Sequence, residues 1–356
     1  MSKLKVGIVG AGSIAELHAL GYEHDDRAEI VAICDPDEDL AIKRALDWGA
    51  RAYYTNFDQM LADPKIDAVE ILTPNHLHAE QAIKALQAGK HVCVERPIAI
   101  SIEDARRVQQ AAAASRRVLQ VYEPSLYYKP LLDARSLIDA GEVGEVTGLR
   151  VDAVVGQSEQ GKWDFTSNDQ AWRFDPAKAG GTPMLYEVGY QAFCIGLFLV
   201  GSIEKVSAWS SSSTLKNGRV IDAPTVAMWK HFEQESYGTL HLTYAPDRVM
   251  RSGNSFPIEL DILVSGTRGE IRIIRSPDAG RPDAPVELRR SNRRVNYGQR
   301  TTFEDSFIRA TKNFISACLG KEEPLLRGAE AQQLLVLTLA YHEAAKRGRA
   351  ISLQHG

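Results

Sequence analysis

Small residues recur at a fixed spacing near the start of the chain, in the stretch VGIVGAGSIAELHA. Residues 10–15 read Gly-Ala-Gly-Ser-Ile-Ala, the G-x-G-x-x-A form of a phosphate-binding turn. The first glycine permits a tight turn after a strand, the second lets the backbone approach a pyrophosphate, and the small last residue allows close packing of a helix on a sheet. The first N–H groups of that helix would point at phosphate oxygens. The spacing therefore predicts a dinucleotide site formed by Gly10, Gly12, Ser13 and Ile14.

An acidic residue follows where such a site needs one. Asp35 lies 23 residues after Gly12, at the end of the second apolar run, AEIVAICD. A carboxylate there accepts hydrogen bonds from the 2′-hydroxyl of a ribose and repels a 2′-phosphate. The predicted cofactor is therefore NAD, with NADP disfavoured. Asp35 precedes Pro36, and aspartate is also a residue type that caps helix N-termini. Binding a ribose and capping a helix are compatible roles for this carboxylate.

A parallel sheet is needed to position these residues. Short apolar runs at 5–10, 28–35, 68–74 and 90–97 alternate with segments whose apolar residues recur at helical spacing. Strands that alternate with helices form a doubly wound parallel sheet of the α/β class. The pattern predicts a Rossmann domain over residues 1–123.

The pattern changes after residue 123. Strand-like stretches then follow one another at hairpin spacing without helices between them, which is typical of a mostly antiparallel sheet. Residues 124–356 are therefore predicted to form an α+β domain with an open sheet. Residues 303–347 read as two closing amphipathic helices, and the polar segment 276–300 reads as a long exposed loop.

The composition narrows the choice of partner. Of 356 residues 44% are hydrophobic, and the formal net charge is -4 with both signs interspersed. This pattern has no basic stripe for nucleic acid, no polybasic membrane patch and no apolar run near the ~20 residues of a membrane span. Without a secretory signal pattern, a cytoplasmic location and a small, neutral or mildly anionic partner are expected. The widely spaced Cys34, Cys93, Cys194 and Cys318 argue for reduced thiols and against a disulfide framework.

Several separated motifs resemble one enzyme family. The stretches TPNHLH (73–78), VERPIA (94–99) and AWRFDPAKAGGTPMLYEVG (171–189) are similar to those of the Gfo/Idh/MocA oxidoreductases, the glucose-fructose oxidoreductase and inositol dehydrogenase group. The resemblance covers almost the whole chain. It implies a second domain whose open sheet serves substrate binding and oligomer contacts, in a homodimer or homotetramer. It also implies a set of residues at the nicotinamide end of the cofactor: Thr73, Pro74, Asn75, His78 and, at the nicotinamide ribose, Glu95.

Two histidines in the first of these motifs suggest an alternative. His76 and His78 alternate on what reads as the end of a strand and could form a metal pair. Neither a carboxylate nor a third ligand lies nearby in the sequence. No metal is therefore predicted.

The two stretches that match the family's catalytic motifs depart from its usual pattern. Where the family typically has E-K-P, with a lysine that polarises the reacting oxygen, this chain has Glu95-Arg96-Pro97. Where the family has D-x-G-x-H-x-x-D, with a histidine that acts as acid or base, residues 187–194 read Glu-Val-Gly-Tyr-Gln-Ala-Phe-Cys. The pKa of arginine lies above ~12, and Gln191 cannot change its protonation state. Arg96 and Gln191 can therefore orient and polarise a substrate, but neither can carry the proton.

Another residue must carry the proton, because an alcohol loses one when its hydride moves to nicotinamide. Glu187, Tyr190 and Tyr186 are the local candidates, in that order. A partly buried glutamate can have its pKa raised toward neutrality, and a tyrosine beside a cation such as Arg96 has its phenolate favoured. Each tyrosine has the alternative of a core or interface aromatic, and Tyr186 is also a candidate substrate contact.

Further residues are predicted to contact the substrate. Trp172 and Arg173 precede the segment AGG, where the family commonly places such contacts. The indole offers an apolar face, and the guanidinium can pair with a carboxylate or cap its own loop. Tyr122 and Glu123 end a predicted parallel strand, where ligand crevices usually lie. Residues 162–164, Lys-Trp-Asp, could cover the pocket or form a solvated loop.

Three functions fit these residues. The preferred one is an NAD-dependent oxidoreductase that moves a hydride between nicotinamide and a hydroxyl or carbonyl of a sugar, cyclitol or related polyhydroxylated molecule, with Arg96 as an electrophilic clamp. A second is a lyase, epimerase or glycosidase that oxidises its substrate transiently and regenerates the cofactor. A third is a non-catalytic nucleotide-binding regulatory protein, since fold does not determine function.

Overall fold

The computed structural model describes residues 3–159, 165, 167–232, 235–250, 256–276, 285–298 and 301–353. The chain divides into two compact units that are discontinuous in sequence. The first contains residues 1–124, 177–180 and 304–335, and the second contains 125–176, 181–303 and 336–356. The first unit thus includes residues 304–335, which lie beyond the predicted boundary at residue 123.

The first unit contains the doubly wound sheet that the alternating pattern predicts. Within its described residues, six parallel strands are arranged in the order β3-β2-β1-β4-β5-β6. Side chains such as Val6, Ile8 and Val92 are fully buried, as expected for strands covered on both faces. The elements are β1 (Leu4–Val9), α1 (Ser13–Glu23), β2 (Ala28–Cys34), α2 (Glu38–Asp47), β3 (Ala52–Tyr54), α3 (Phe57–Leu61), β4 (Ala68–Ile71), α4 (Asn75–Gln87), β5 (His91–Glu95), α5 (Ile102–Ser115) and β6 (Leu119–Tyr122).

The remaining elements include those of a mixed sheet in the second unit. They are α6 (Lys129–Asp139), β7 (Val146–Ser158), α7 (Pro176–Ala179), α8 (Tyr190–Leu199), β8 (Ile203–Ser210), β9 (Ser213–Thr214), β10 (Val220–Ile221), β11 (Thr225–His231), β12 (Tyr237–Met250), β13 (Ile258–Gly266), β14 (Glu270–Arg275), β15 (Val286–Arg290), β16 (Arg293–Tyr297), α9 (Glu304–Cys318), α10 (Gly328–Arg347) and β17 (Ile351–Ser352). Short 3₁₀ helices span Pro124–Tyr127 and Asn168–Phe174, and a π-helical turn spans Leu185–Gly189.

The sheet of the second unit is mostly antiparallel, as predicted. Nine described strands are arranged in the order β16-β15-β14-β13-β7-β12-β11-β8-β17. Of these neighbours, β7 and β12 run parallel and the others run antiparallel. β9 and β10 form a separate antiparallel pair.

The prediction of one long exposed loop over residues 276–300 was wrong. β15 and β16 lie in this segment and pair with each other, and β15 also pairs with β14. Val286 and Leu288 alternate with polar residues and are buried, which is the period of a strand with one covered face. The charges of the segment obscured this alternation. Residues 277–284 and 299–300 lie outside the described part of the chain.

Helix α9 packs against α1 within the first unit at a contact that requires glycine. A Cβ atom placed on Gly21 would lie 2.2 Å from the Cβ of Thr311. Thr311 is fully buried. The two helices therefore approach with no space for a methyl group at this point.

We expect Gly21→Ala to destabilise the protein by about 1–3 kcal/mol, because the added methyl group must separate two packed helices. The higher helix propensity of alanine opposes this by about 1 kcal/mol. Urea unfolding measures the difference. Glu23→Ala, at the exposed end of the same helix, is the matched control, and a Gly21→Ala protein as stable as wild type would contradict the close contact.

Candidate functional site

The glycine motif lies between β1 and α1 with the geometry that a pyrophosphate site needs. Gly10 has a φ of +90°, and a Cβ atom on it would lie 2.7 Å from the carbonyl oxygen of Leu72. Gly12 is the N-cap of α1, and no side chain caps this end of the helix. A Cβ atom on Gly12 would meet nothing within 4 Å. The backbone at Gly12 therefore borders open space at a helix N-terminus, which fits a bound pyrophosphate.

Asp35 ties this glycine loop to the turn after β2. Its Oδ2 accepts a hydrogen bond from the Ala11 N–H at 2.8 Å, and its Oδ1 accepts one from the Asp37 N–H at 3.0 Å. The N-cap of α2 is Asp37, whose side chain accepts from the Leu40 N–H. Asp35 is therefore not the helix cap itself, and its carboxylate lies at the carboxyl end of β2, where a ribose diol can bind.

Arg44, which was not predicted from the sequence, supports the same loop from α2. Its Nε donates to the carbonyl oxygen of Ala11 at 3.2 Å, and its guanidinium pairs with Glu16. The Arg44 side chain is 11% exposed. Because the loop contact is made to a main-chain carbonyl, no sequence pattern could indicate it.

The loop after β4 brings together the residues of the TPN motif. The Thr73 hydroxyl donates to Oε1 of Gln81 at 2.6 Å, and Pro74 is the N-cap of α4. The buried Asn75 donates from Nδ2 to the carbonyl oxygen of Ala179 at 2.9 Å. As at α1, no side chain caps the first turn of this helix.

His78 links this loop to the turn after β5. The ring is fully buried, with Nδ1 2.7 Å from the Pro97 carbonyl oxygen and Nε2 2.7 Å from the Thr73 carbonyl oxygen. Burial lowers the pKa of His78, and the two carbonyl groups offset this only in part. The imidazole therefore joins two loops of the predicted nicotinamide end. In the part of the chain that the structure describes, no group of three or more His, Cys, Asp or Glu residues could hold a metal ion.

Glu95 ends β5 and lies beside a buried histidine that the sequence analysis did not single out. Nε2 of His18 is 3.3 Å from Oε2 of Glu95, and Nδ1 of the same ring is 2.8 Å from Oε1 of Glu70. His18 and Glu70 are 0% and 1% exposed, whereas Glu95 is 19% exposed. Two carboxylates thus contact one imidazole, and they raise the pKa of His18 to about 9 although burial alone would lower it.

Arg96 forms an ion pair with Glu123, a contact that was not anticipated between these two predicted site residues. Nε of Arg96 is 3.0 Å from Oε2 of Glu123. The Glu123 side chain is 1% exposed and that of Arg96 is 15% exposed. The buried carboxylate therefore holds the guanidinium at the carboxyl ends of β5 and β6.

Tyr122 has a different position from its neighbour Glu123. It is fully buried, its hydroxyl donates to the Phe307 carbonyl oxygen at 2.8 Å, and its ring lies 3.9 Å from that of His18 between centroids. Burial raises the pKa of Tyr122 well above its usual range. The prediction that Tyr122 contacts substrate gains no support from this place in the core.

In the second unit, the predicted residues around the π-helical turn form a buried polar cluster. Glu187 forms an ion pair with Arg173, which also donates to Gln170. The Arg173 guanidinium lies 4.6 Å from the Trp172 ring centroid and 5.4 Å from that of Phe256. Arg173 therefore pairs within its own unit, as the loop-capping alternative required, and the pair stabilises the ionised Glu187 carboxylate.

The other predicted catalytic and substrate-binding residues of this segment lie on the same π-helical turn and on α8. Gln191 donates from Nε2 to the Ser125 hydroxyl, and its Oε1 accepts from Nη2 of Arg275 at 3.5 Å. Tyr190 is fully buried and Tyr186 is 3% exposed. Burial raises the pKa of Tyr186 well above the usual range of a phenol. Tyr186 is therefore a neutral phenol near neutral pH rather than a ready base.

Asp222 organises the start of this segment and was also missed. Its carboxylate accepts hydrogen bonds from the Thr182 hydroxyl at 2.7 Å and from the N–H groups of Met184 and Leu185 at 2.8 and 3.0 Å. Asp222 follows the short strand β10, far from Glu187 in sequence. The predicted covering residues 162–164 lie outside the described residues.

A Rossmann sheet, an uncapped helix after a glycine loop and an acidic residue after β2 define the class of NAD-binding oxidoreductases. Residues 4–123 match the family described as "Oxidoreductase family, NAD-binding Rossmann fold", and residues 131–272 match the "GFO/IDH/MocA C-terminal domain". The chain belongs to the Gfo/Idh/MocA family of oxidoreductases. The predictions of fold class, family and NAD as cofactor are confirmed.

Three relatives illustrate the similarity. The chain is 26% identical over 352 residues to 1,5-anhydro-D-fructose reductase of Ensifer adhaerens, covering 98% of both proteins. It is 28% identical over 233 residues to levoglucosan dehydrogenase of Pseudarthrobacter phenanthrenivorans, covering 61% of this chain and 57% of that protein. The WlbA dehydrogenase of Bordetella pertussis, solved with NADH and UDP-GlcNAcA, superimposes with a TM-score of 0.81 at 25% identity, covering 100% of both chains. In the described residues, no helix is long and apolar enough to cross a membrane.

We expect the buried His18 to make stability depend on alkaline pH. The folded pKa of about 9 lies above the ordinary value of 6.5, so its stabilisation is fully present below about 6.5 and is lost as pH rises through about 9. Urea unfolding of wild type and His18→Gln at pH 6, 7.5 and 9.5 measures this. The difference in unfolding free energy between them should shrink with rising pH, and a constant difference would contradict the charged imidazole. His24→Gln, at the exposed C-cap of the same helix, is the control.

Proposed function

We propose that the protein is an NAD-dependent oxidoreductase that transfers a hydride between nicotinamide and a hydroxyl or carbonyl group of a sugar, cyclitol or related polyhydroxylated small molecule. The observation that carries this proposal is the cation at the carboxyl end of β5. Arg96 directly follows Glu95 and is held there by the buried Glu123. A guanidinium fixed beside a ribose-binding carboxylate can polarise an oxygen of the reacting carbon.

The cofactor supplies the hydride chemistry when it is bound, and the contacts above support the following roles for the residues of this chain. Gly10, Gly12, Ser13, Ile14 and Asp35 would hold the pyrophosphate and adenosine ribose. The nicotinamide end would be bordered by Thr73, Pro74, Asn75, His78 and Glu95. Carboxyl ends of parallel strands are the usual location of such sites.

Transfer of the alcohol proton requires a group that can change its protonation state. Glu187 is the first candidate for this acid–base role. The Glu187 carboxylate can accept a proton from an alcohol, and its ion pair with Arg173 makes it a weaker base than an unpaired buried glutamate. Tyr190 is the second candidate, while Gln191 and Arg96 serve to orient and polarise. Trp172, Arg173 and Tyr186 are proposed to bind the substrate.

The substrate class is supported by the named relatives. The reductase of Ensifer adhaerens and the dehydrogenase of Pseudarthrobacter phenanthrenivorans are named for anhydrosugars. The Bordetella pertussis structure contains a nucleotide sugar acid. A polyhydroxylated substrate offers oxygens that a fixed guanidinium such as that of Arg96 can bind.

The proposal includes a cytoplasmic homo-oligomer, a dimer or a tetramer. Adjacent strands β8 and β11 expose apolar side chains on one face of the sheet. Trp209 is 58% exposed, its strand partner Val226 is 40% exposed, and Met228 is 45% exposed. An apolar patch of this kind supports packing against a second copy of the chain.

One observation favours the transient-oxidation alternative. Arg96 and Gln191 occupy positions where the family typically has a polarising lysine and an acid–base histidine, so the usual pair of residues for net dehydrogenation is replaced in this chain. Such an enzyme would return its cofactor to the starting redox state. Stoichiometric NADH accumulation with product would eliminate this alternative.

We expect the wild-type protein to bind NADH at micromolar or lower concentration and NADPH much more weakly, as measured by nicotinamide fluorescence. Asp35→Asn should reduce the ratio of the NADPH Kd to the NADH Kd by about tenfold or more, because it removes the charge that repels a 2′-phosphate. The amide oxygen can still accept from the Ala11 N–H, whereas the Asp37 N–H loses its acceptor. Asp37→Asn, in the same turn, is the control. Binding of neither dinucleotide would overturn the enzyme assignment, and equal binding of both by wild type would refute the role of Asp35.

We expect Arg96→Ala to lower kcat/KM for an active polyol by about 10²–10³-fold, as loss of a preorganised donor does. Arg96→Lys should retain part of the activity, because it keeps the charge but loses the planar fork. Steady-state assays of NADH formation over a panel of sugars and cyclitols measure both. Arg107→Ala, an exposed residue of α5, is the control, and unchanged turnover in both Arg96 variants would contradict the clamp.

A further inference from the structure

His18 occupies a position that the assigned roles do not explain. It lies on α1, its ring is fully buried, and each ring nitrogen faces a carboxylate from a different strand. Nδ1 is 2.8 Å from Glu70 on β4, and Nε2 is 3.3 Å from Glu95 on β5. Glu70 is itself 1% exposed, whereas Glu95 is 19% exposed. The imidazole therefore connects a core carboxylate to a carboxylate that reaches the surface.

The groups packed around this arrangement are neutral near pH 7. Tyr122 on β6 lies 3.9 Å from the imidazole between ring centroids, and Phe307 on α9 lies 5.4 Å away. Burial raises the pKa values of Tyr22, Cys93 and Tyr122, so none of them ionises near neutrality. These three groups are therefore uncharged near neutral pH. Cys318, at the end of α9, also has its pKa raised by burial.

We propose that His18 is a positioning residue, held as an imidazolium by Glu70, that fixes the Glu95 carboxylate for the nicotinamide ribose. This inference rests on the proposed function, in which Glu95 binds that ribose. A neutral ring that donates from Nδ1 to Glu70 would present the lone pair of Nε2 to Glu95. Protonation replaces this repulsion with attraction, because it places a positive charge 3.3 Å from the Glu95 carboxylate oxygen. The raised pKa of His18, which the two carboxylates cause, agrees with the charged form.

Helix α1 connects His18 to the proposed phosphate-binding turn. The same helix begins at Gly12, where the pyrophosphate is proposed to bind, and its second turn carries the imidazole that contacts Glu95. One rigid helix would then place the phosphate-binding N–H groups and orient the ribose-binding carboxylate. A carboxylate held in advance loses less conformational entropy when the cofactor binds.

The test compares NADH affinity in wild type, His18→Gln, Glu95→Gln and the double variant, by fluorescence titration at pH 7. Each single variant is expected to raise the Kd about tenfold, and the double variant is expected to be no worse than Glu95→Gln alone, because His18 acts through Glu95. Wild-type affinity should also weaken as pH rises through about 9, whereas that of His18→Gln should not. His24→Gln should leave the Kd and its pH profile unchanged.

The outcomes separate the inference from the function on which it rests. If wild type does not bind NADH, the proposed function fails and the inference fails with it. If wild type binds and Glu95→Gln weakens binding but His18→Gln does not, the positioning role alone is overturned. Additive effects in the double variant would also overturn it.

A measurement on the wild-type protein tests the proposal even if the His18→Gln variant does not fold. The ¹⁵N chemical shifts of His18 in the protein without NADH should be those of an imidazolium at pH 8, and those of a neutral ring would overturn the proposal. Glu70→Gln provides a second variant, in which the His18 pKa should fall and the Kd for NADH should rise.

Discussion

Parallel pairing of the strands in the first unit is the constraint on which the nucleotide-binding residues depend. β1 pairs with β4 so that Val9 lies opposite Ile71, and β5 pairs with β6 so that Glu95 lies opposite Tyr122. Parallel strands end at the same edge of a sheet. The loops that follow them, which carry the glycine motif, the TPN motif, Arg96 and Glu123, are therefore neighbours although they are distant in sequence. The close approach of Gly10 to the Leu72 carbonyl oxygen is a direct result of this pairing.

Buried carboxylates organise the polar residues that these loops present. Glu123 holds Arg96, Glu70 holds His18, and Glu187 in the second unit pairs with Arg173. A buried carboxylate is costly unless a cation or hydrogen bonds accompany it, so each partner is confined to a narrow range of positions. Groups held in this way need little reorganisation when a charged or polar ligand binds. Arginine suits such a role because it stays charged whatever the pH.

Much of the fold could be predicted because its pattern is local. The runs at β1, β2, β4 and β5 are almost entirely apolar, and strands of this kind are read from four to seven residues. β15 and β16 were missed because charged residues obscure their alternation. Pairing of β15 with β14 and of β16 with β15 makes both segments strands. The association of residues 304–335 with the first unit was also missed, since an amphipathic helix shows which face is buried but not what covers it.

The sequence by itself determined the Rossmann family, the glycine motif and the charges of the proposed site residues. Gly10 and Gly12 lack side chains, Asp35 carries a negative charge at the end of β2, and Arg96 cannot release a proton near neutral pH. These properties belong to the residue types. The tertiary structure decided which side chains these residues contact. Only the fold shows that Glu70 meets His18 from 52 residues away, that Glu123 holds Arg96, and that Tyr122 turns into the core while its neighbour Glu123 pairs with a cation. The physical reason is that residue type sets the chemistry of a side chain, whereas its contacts depend on strand order and helix packing, which join segments that no local pattern connects.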